Sequence, residues 1–257
     1  MTSSPNFGSV AETYARLRPG YPARVFDDLV ALTGLPDGAS ILEIGPATGQ
    51  ATLPLAQRGY RITGVEPDER LVAEARRALA SYPEVEFHVA RFEDWPLPPQ
   101  PFALVLSATA FHWIDPAVRY VKAAAALERG GSLAVIHSYH VKGGTQAFFD
   151  DVQACYASYM PATSRPHLRA TESIAPNLTA YEASGLFTAP QFRRYVWQET
   201  YNRRDYTDLL STYSDHIALQ EERRVALLDC IGSLIEQRFD GHVTKQYLTE
   251  LIVVGKR

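Results

Sequence analysis

A short apolar segment that ends in a glycine-containing turn constrains the fold of this chain most strongly. Residues 41–50 read Ile-Leu-Glu-Ile-Gly-Pro-Ala-Thr-Gly-Gln, which predicts a buried strand, a turn and then the start of a helix. A second apolar strand at 60–65 ends in Glu66, about twenty residues after Gly45. Strand, turn, helix, strand and acid in this order predict a parallel sheet that binds a ribose-bearing ligand at its edge.

The turn consists of small residues and is followed by a well-placed acid. Gly45, Ala47 and Gly49 allow a ligand to approach the backbone closely, and the Glu66 carboxylate can accept hydrogen bonds from both ribose hydroxyls. The alternative is an ordinary strand–helix turn with an incidental acid, because a glycine-rich turn alone has low specificity.

Two residues of this segment indicate which ligand it binds. A dinucleotide fingerprint needs a small residue where this chain has Gln50, so the pyrophosphate pattern fails there. Glu43 stands inside the strand, two residues before Gly45, where a carboxylate suits a cationic or amine-bearing ligand better than a pyrophosphate.

With Glu43, Gly45, Ala47 and Gly49 in this order, the segment resembles the first motif of the class I S-adenosylmethionine-dependent methyltransferases, which reads roughly E/D-x-G-x-G-x-G. The resemblance implies that the loop holds the methionine part of S-adenosylmethionine and that Glu66 and the adjoining Pro67 bind its ribose. It also implies S-adenosylhomocysteine as the product and no metal. Ala47 replaces the middle glycine of the motif, a departure of one methyl group.

Strand and helix signals alternate from residue 40 onward, which predicts a parallel sheet with helices on both faces. A helix is expected from Asp115 to the glycines at 130–131. The resemblance implies an α/β fold: a seven-stranded, mostly parallel Rossmann-like sheet with an antiparallel last strand and a helical cap over its C-terminal edge. A single methyltransferase domain is expected at 1–257, with a lid and two cap or acceptor-binding insertions. These segments are 1–25, 140–180 and 203–240.

The segment 14–22, Tyr-Ala-Arg-Leu-Arg-Pro-Gly-Tyr-Pro, precedes the first strand and has two interpretations. It is either a capping helix that ends at Arg18, since a residue before proline resists the helical conformation, or a lid over the ligand. A similar stretch folds over the cofactor in trans-aconitate-type methyltransferases, and this resemblance favours the lid. It implies that Arg18 binds the methionine carboxylate, that Tyr14 borders the cofactor and that Tyr21 borders the acceptor.

Residues at two further strand ends are candidates. The resemblance implies adenine recognition at Phe92 and Glu93, with Asp94 as a competing candidate and a solvated loop as the alternative. It also implies a cofactor contact at Ser107. His112 and Trp113 follow the fourth strand in an S-A-x-x-F-H-W stretch that is similar to one in this group. Strand ends in such sheets face the ligand crevice, so Trp113 is expected to contact the acceptor. His112 is either an acceptor-binding base or a structural histidine.

Polar residues also follow the fifth strand. His137 and His140 are candidate bases and Tyr139 can orient an acceptor oxygen, although ordinary polar residues at a strand exit are the alternative. A metal is not expected, because no third ligand stands at suitable spacing. Tyr213 resembles an element that closes the acceptor pocket. Three arginines are candidates for binding an acidic acceptor or are solvated loop charges: Arg165, Arg169 and Arg203.

Composition excludes several classes of protein. The chain has 257 residues, 46% of them hydrophobic, and a net charge of −4 without a clustered basic segment, so a nucleic-acid partner is not expected. No apolar run reaches the length of a membrane span, and the first residues do not resemble a secretion signal, so a cytoplasmic location is expected. The expected oligomeric state is a monomer or a homodimer. Cys155 and Cys230 lack metal or redox spacing and are expected to be buried apolar residues.

These observations favour a methyltransferase that transfers a methyl group from S-adenosylmethionine to a small-molecule acceptor, by O-methylation of a carboxylate or hydroxyl. A non-catalytic S-adenosylmethionine-binding protein is one alternative. A nicotinamide-dependent oxidoreductase is another, and Gln50 argues against it.

Overall fold

The computed structural model describes residues 7–161 and 168–257. In this part of the chain, helices follow the first, second and fourth strands, whereas a loop joins the third strand to the fourth. The strands are β1 Ser40–Ile44, β2 Arg61–Glu66, β3 Val85–Val89, β4 Phe102–Ala108, β5 Leu127–Val141, β6 Gln191–Asn202 and β7 His242–Gly255. The helices are α1 Ala11–Leu17, α2 Ala23–Thr33, α3 Thr52–Ala56, α4 Glu69–Ala78, α5 Arg119–Ala126, α6 Gln146–Asp151, α7 Gln153–Tyr159, α8 Thr179–Ala183, α9 Arg203–Ser211, α10 Ser214–Ile217 and α11 Glu221–Arg238. Short 3₁₀ turns are Phe7–Val10, Phe111–Trp113 and Thr171–Ser173.

The strands form one seven-stranded sheet in the order β3-β2-β1-β4-β5-β7-β6. The pairs β1–β2, β2–β3, β1–β4 and β4–β5 are parallel. Strands β6 and β7 run antiparallel. The side chains of Thr200 and Thr244 hydrogen-bond each other, and so do those of Gln198 and Gln246. The predicted α/β sheet is therefore confirmed. The strand order reverses between β1 and β4, and ligands bind at such a switch point in open α/β sheets.

Local sequence explains the helix that follows β2. Asp68 caps α4, because its Oδ1 accepts the backbone N–H groups of Arg70 at 2.9 Å and Leu71 at 3.3 Å. Leu71 and Ala75 lie on the buried face of this helix. The cap fixes the position at which the chain turns back after Glu66.

The helix predicted between Asp115 and the two glycines is shorter than expected. Its regular part, α5, ends at Ala126, and β5 already begins at Leu127. The register between β4 and β5 shifts at this point, and Gly130 has φ +82°. A Cβ atom on Gly131 would lie 3.0 Å from the Ala103 carbonyl oxygen. The glycines therefore serve an irregular strand pairing and do not end a helix.

The chain forms two compact units, which are described separately. The core unit comprises Gly20–Ser138, Pro176–Tyr195 and Thr249–Arg257. The second unit comprises Met1–Pro19, Tyr139–Ala175 and Val196–Leu248. The predicted lid and insertions overlap the second unit in sequence, and their roles stay predictions.

A disulfide in the second unit contradicts the expectation of two unpaired cysteines. Cys155 of α7 is bonded to Cys230 of α11, with Cα atoms 5.9 Å apart. The two residues are separated by 75 positions, so their pairing depends on how α7 and α11 pack and leaves no local spacing signal. Around them lies an apolar cluster that includes Phe148, Leu209 and Ile231.

None of the helices in the described ranges combines the length and the apolar character that crossing a membrane requires.

Candidate functional site

The turn after β1 has a backbone that restricts which residues fit. Gly45, Ala47 and Gly49 have φ values of +69°, +50° and +93°. A Cβ atom on Gly45 would lie 2.5 Å from the Cβ of Ala110, so this position has neither the conformation nor the space for a side chain. Ala47 tolerates a left-handed conformation at a cost of about 1 kcal/mol, which explains why a glycine is usual there.

Glu66 ends β2 directly beside this turn. Its side chain is largely buried, with 7% exposure. Oε2 accepts the backbone N–H of Ala47 at 3.1 Å, and Oε1 accepts that of Asp68 at 3.2 Å. Each carboxylate oxygen keeps a further lone pair, so the group can still accept two hydroxyls. The predicted turn and its acid are thus brought together.

Glu43 is the second carboxylate of the site. It lies in β1 opposite Gly64, has 1% exposure, and accepts a hydrogen bond from Thr52 Oγ1 at 2.7 Å. Burial raises the pKa of Glu43 to about 7, and the charge of Glu66 raises it further. Burial likewise raises the pKa of Glu66 to about 7, against its two backbone hydrogen bonds.

These two buried carboxylates fit a ligand that carries positive charge and hydroxyl groups. No described lysine or arginine forms an ion pair with Glu43 or Glu66. A ligand with a sulfonium or ammonium group would therefore stabilise the ionised carboxylates, and a pyrophosphate would be repelled. The residues present fit S-adenosylmethionine: Glu66 and the turn would hold its ribose and methionine portions.

Neighbouring residues support the turn. Ser107 is buried and donates its hydroxyl to the Ile44 carbonyl oxygen at 2.9 Å, which joins β4 to the end of β1. Phe92 is buried, whereas Pro67 is exposed. Glu93 Oε1 accepts the backbone N–H of Asp115 at 3.2 Å and so links the loops that follow β3 and β4. Direct contacts of these residues with a cofactor stay predictions.

The predicted acceptor residues Tyr21, His112 and Trp113 all lie near the end of β4. The Tyr21 hydroxyl lies 3.0 Å from Thr109 Oγ1, and Thr109 has φ +56°, which strains a residue with a branched Cβ. Trp113 has 48% exposure, and its ring centre is 4.9 Å from that of His112. A large exposed aromatic group at a strand end suits contact with a small molecule.

His137 and His112 share an electrostatic environment with Arg119. Burial lowers the pKa of His112, and the charge of Arg119 lowers it further. Burial also lowers the pKa of His137, with further contributions from His112 and Arg119. Both imidazoles are therefore neutral at pH 7, the form in which a histidine can accept a proton.

The other predicted residues lie in the second unit. The guanidinium carbon of Arg18 is 4.8 Å from the ring centre of Tyr14 and 4.5 Å from that of Tyr213. Arg18 also donates to Thr212 Oγ1 at 2.9 Å and to the Thr212 carbonyl oxygen at 2.7 Å. Tyr14 and Arg18, which share the segment 14–22, are thus brought together with Tyr213, which lies far from them in the chain.

The predicted cluster at the end of β5 is divided between the units. His137 belongs to the core unit, whereas Tyr139 and His140 belong to the second. The His140 ring lies 4.5 Å from that of Phe149. Of the three predicted cationic residues, Arg169 accepts the Lys142 N–H with its carbonyl oxygen, Arg203 begins α9, and Arg165 lies outside the described residues.

Sequence reasoning missed one buried cation. Lys245 has 2% exposure and donates to the Tyr213 hydroxyl at 2.7 Å. Its ammonium nitrogen lies 5.1 Å from the Tyr213 ring centre, 5.2 Å from that of Tyr247 and 6.0 Å from that of Tyr206. Its neighbours Thr244 and Gln246 are also polar, so the local sequence offers no signal that this lysine is buried.

Residues 41–131 match the family model described as a methyltransferase domain. Residues 41–131 therefore carry a methyltransferase domain. The matched range contains the turn, both carboxylates and the helices between β1 and β5. In the described residues, no group of three histidine, cysteine or acidic side chains is arranged to hold a metal.

Relatives and solved structures are consistent with this assignment. Uncharacterized methyltransferases of Mycobacterium tuberculosis and Mycobacterium bovis are 34% identical over 132 residues, which is 51% of this chain and 51% of each relative. The chain therefore spans about half the length of these curated relatives. A putative type II methyltransferase from Anaeromyxobacter dehalogenans has the same fold, with a TM-score of 0.63, 20% identity, and coverage of 93% of this chain and 97% of that chain. Phosphoethanolamine N-methyltransferase 2 of Haemonchus contortus, solved with S-adenosyl-L-methionine, has a TM-score of 0.53 and 17% identity, and the match covers 97% of this chain and 57% of that chain.

Proposed function

We propose that the protein transfers a methyl group from S-adenosylmethionine to an oxygen atom, a hydroxyl or carboxylate, of a small-molecule acceptor. The observation that carries this proposal is the pair of buried carboxylates, Glu43 and Glu66, beside the turn at Gly45. Their charge and their free lone pairs suit a ligand with a cationic centre and a ribose.

The chemistry requires alignment more than acid–base catalysis. The sulfonium of the cofactor supplies an activated methyl group, so the acceptor oxygen forms a C–O bond while the C–S bond breaks and its electron pair stays on sulfur. The protein must align these atoms and exclude water. A carboxylate acceptor needs no base. A hydroxyl acceptor must lose a proton, and the neutral imidazole of His112 or His137 can take it.

We also propose that the protein is located in the cytoplasm and that it is a monomer or a homodimer. Disulfides are rare in the cytoplasm, so the Cys155–Cys230 pair makes the location a separate question. Thiol counting on protein taken directly from its native cells, under denaturing conditions, answers it: two free thiols support the cytoplasm and none contradicts it.

Calorimetric titration with S-adenosylmethionine tests the cofactor site. We expect Glu66→Gln to weaken binding about 10- to 100-fold, because two hydrogen bonds to a charged acceptor are lost. Glu128→Gln is the matched control, since this glutamate is exposed on β5. Equal binding by the wild type and both variants would contradict the role of Glu66.

Transfer of a radiolabelled methyl group, screened over small alcohols, phenols, acids and amines, tests catalysis. Label in an oxygen ester or ether supports the proposal. Label on nitrogen alone overturns O-methylation, and cofactor binding without any turnover supports the non-catalytic alternative.

A further inference from the structure

Three basic side chains from consecutive segments of the core unit lie within electrostatic reach of one another. His112 belongs to the 3₁₀ turn after β4, Arg119 is the first residue of α5, and His137 lies near the end of β5. The guanidinium carbon of Arg119 lies 5.6 Å from the ring centre of Phe111 and 5.0 Å from that of Tyr120. These two rings hold the guanidinium in place.

The described residues do not neutralise Arg119. It forms no salt bridge among them. Its side chain interacts with the neutral hydroxyl of Tyr120, and its Nε atom is buried without a hydrogen-bond partner there. Two acids of the loops that follow β3 and β4 are used elsewhere: Asp115 Oδ1 accepts the Ala117 N–H at 2.8 Å, and Glu93 bonds Arg91 and the Asp115 backbone. A buried donor without a partner is uncommon and needs an explanation.

The same cation acts on its neighbours. The charge of Arg119, after burial, lowers the pKa of both His112 and His137, and it opposes the rise that burial causes in the pKa of Tyr120. The cluster is therefore a region of positive potential bordered by neutral imidazoles.

The cluster also lies where a small molecule can reach it. The ends of parallel strands meet at one edge of a sheet, so the ends of β4 and β5 lie on the edge that carries the turn at Gly45. Trp113 is exposed there, and His112 is partly exposed, with enough burial to lower its pKa.

We propose that Arg119 binds an oxyanion, a carboxylate or phosphate group, of the methyl acceptor, with His112 and His137 beside it. This inference rests on the proposed methyltransferase function and names its substrate class. Arginine suits the role, because its planar set of N–H donors matches a carboxylate or phosphate.

The bound oxyanion is an anchor and is not the atom that is methylated. A guanidinium that pairs with an oxyanion withdraws charge from its oxygens and makes them weaker nucleophiles. The methylated atom is therefore a second group, a hydroxyl, whose proton passes to a neutral imidazole as the C–O bond forms. The acceptor class is an alcohol or phenol that carries an acidic group.

Histidine titration by NMR tests the anion site without any turnover. We expect sodium phosphate or acetate to raise the pKa of His112 and His137 in the wild type, because the anion offsets the charge of Arg119. Arg119→Gln should raise both pKa values without anion and abolish the response to it. Arg119→Lys should restore part of the response, and Arg129→Gln, at an exposed position on β5, should behave as the wild type. Unchanged histidine pKa values in Arg119→Gln, or an anion response that persists, would overturn the proposal.

Substrate comparison tests the role in recognition. Phenol, 4-hydroxybenzoate and 4-hydroxyphenyl phosphate differ in their anionic group and present the same hydroxyl. We expect Arg119→Gln to raise KM about 10- to 100-fold for the anionic phenols that the wild type methylates and to leave phenol unaffected. The two anionic phenols distinguish carboxylate from phosphate as the natural anchor.

Failure of this inference can be distinguished from failure of the proposed function. Unchanged S-adenosylmethionine binding in Arg119→Gln, measured by calorimetry, separates the anion site from the cofactor site. Equal losses on the neutral and the anionic phenols would contradict anion recognition. If the wild type binds no S-adenosylmethionine, the proposed function fails, and the NMR titration alone decides whether Arg119 binds anions.

Discussion

The core unit and the second unit bury charge of opposite sign. In the core unit, the carboxylates of Glu43 and Glu66 lie beside the turn at Gly45, and burial raises the pKa of both. In the second unit, the ammonium of Lys245 is buried among tyrosine rings, and the guanidinium of Arg18 lies over Tyr14 and Tyr213. Because burying charge costs free energy, the raised pKa values of Glu43 and Glu66 mark the turn of the core unit as a candidate ligand site.

The units also differ in how they are held together. The core unit buries apolar residues on both faces of its sheet, including Phe26, Leu104 and Val105. The second unit packs a small helical cluster and adds the Cys155–Cys230 bond. From this comparison we predict how much four substitutions change the free energy of unfolding, beginning with the disulfide and ending with the buried lysine.

Loss of the disulfide should have the largest effect. In the chain-entropy model, a bond across a 75-residue separation stabilises a fold by about 4 kcal/mol. We expect Cys155→Ser to lower the free energy of unfolding by that order, measured by urea denaturation. Reduced wild-type protein is the control and should match the variant. Equal stability of oxidised and reduced wild type would show that the second unit does not depend on this bond.

Filling the turn after β1 should have the next largest effect. Gly45→Ala combines positive φ with a Cβ atom 2.5 Å from Ala110 Cβ, so we expect a loss of about 3 kcal/mol. Gly59→Ala is matched, because Gly59 has φ +81° with no atom within 4 Å of the added Cβ, and it should cost about 1 kcal/mol. Thermal denaturation measures both. Similar losses of stability at the two sites would mean that Ala110 moves aside to make room for the new methyl group.

Neutralising Glu66 should change the pH dependence of stability. Its folded pKa of about 7 lies above the ordinary value of 4.5, so the folded state holds a proton that the unfolded state releases. The contribution of Glu66 to stability is therefore greatest below pH 4.5 and is lost as the pH rises through 7. We expect Glu66→Gln, without ligand, to be more stable than the wild type by about 3 kcal/mol at pH 8 and by less than about 1 kcal/mol at pH 5. Denaturation at both pH values measures this, and parallel profiles for the two proteins would contradict it.

Removing the buried cation of the second unit should have the smallest effect. Lys245→Met replaces an ammonium among aromatic rings by an apolar side chain of similar length. Exchanging a buried charge for apolar groups is often neutral, so we expect a free energy of unfolding within about 1 kcal/mol of the wild type. Urea denaturation measures it. A loss of several kcal/mol would show that Lys245 serves the fold, and the contrast between the units would then not hold for this residue.

Patterns within a few residues were predictable from the sequence. The strand at 41–44, the turn at Gly45, the acid at Glu66 and the cap at Asp68 are each encoded by neighbouring residues, because backbone conformation and strand burial act locally. The predicted end of α5 was wrong. The helix ends at Ala126, because the chain already pairs with β4 from Leu127, before the two glycines.

The disulfide, Lys245 and Arg119 depended on distant parts of the chain. Cys155 and Cys230 meet only because α7 and α11 pack together. Lys245 meets Tyr213 across 32 positions, and Arg119 acts on His137 from a different element. The sequence by itself determined the sheet, the turn and its acid. Only the tertiary structure decided which charges became buried neighbours, because burial and electrostatic contact depend on elements that are far apart in the chain.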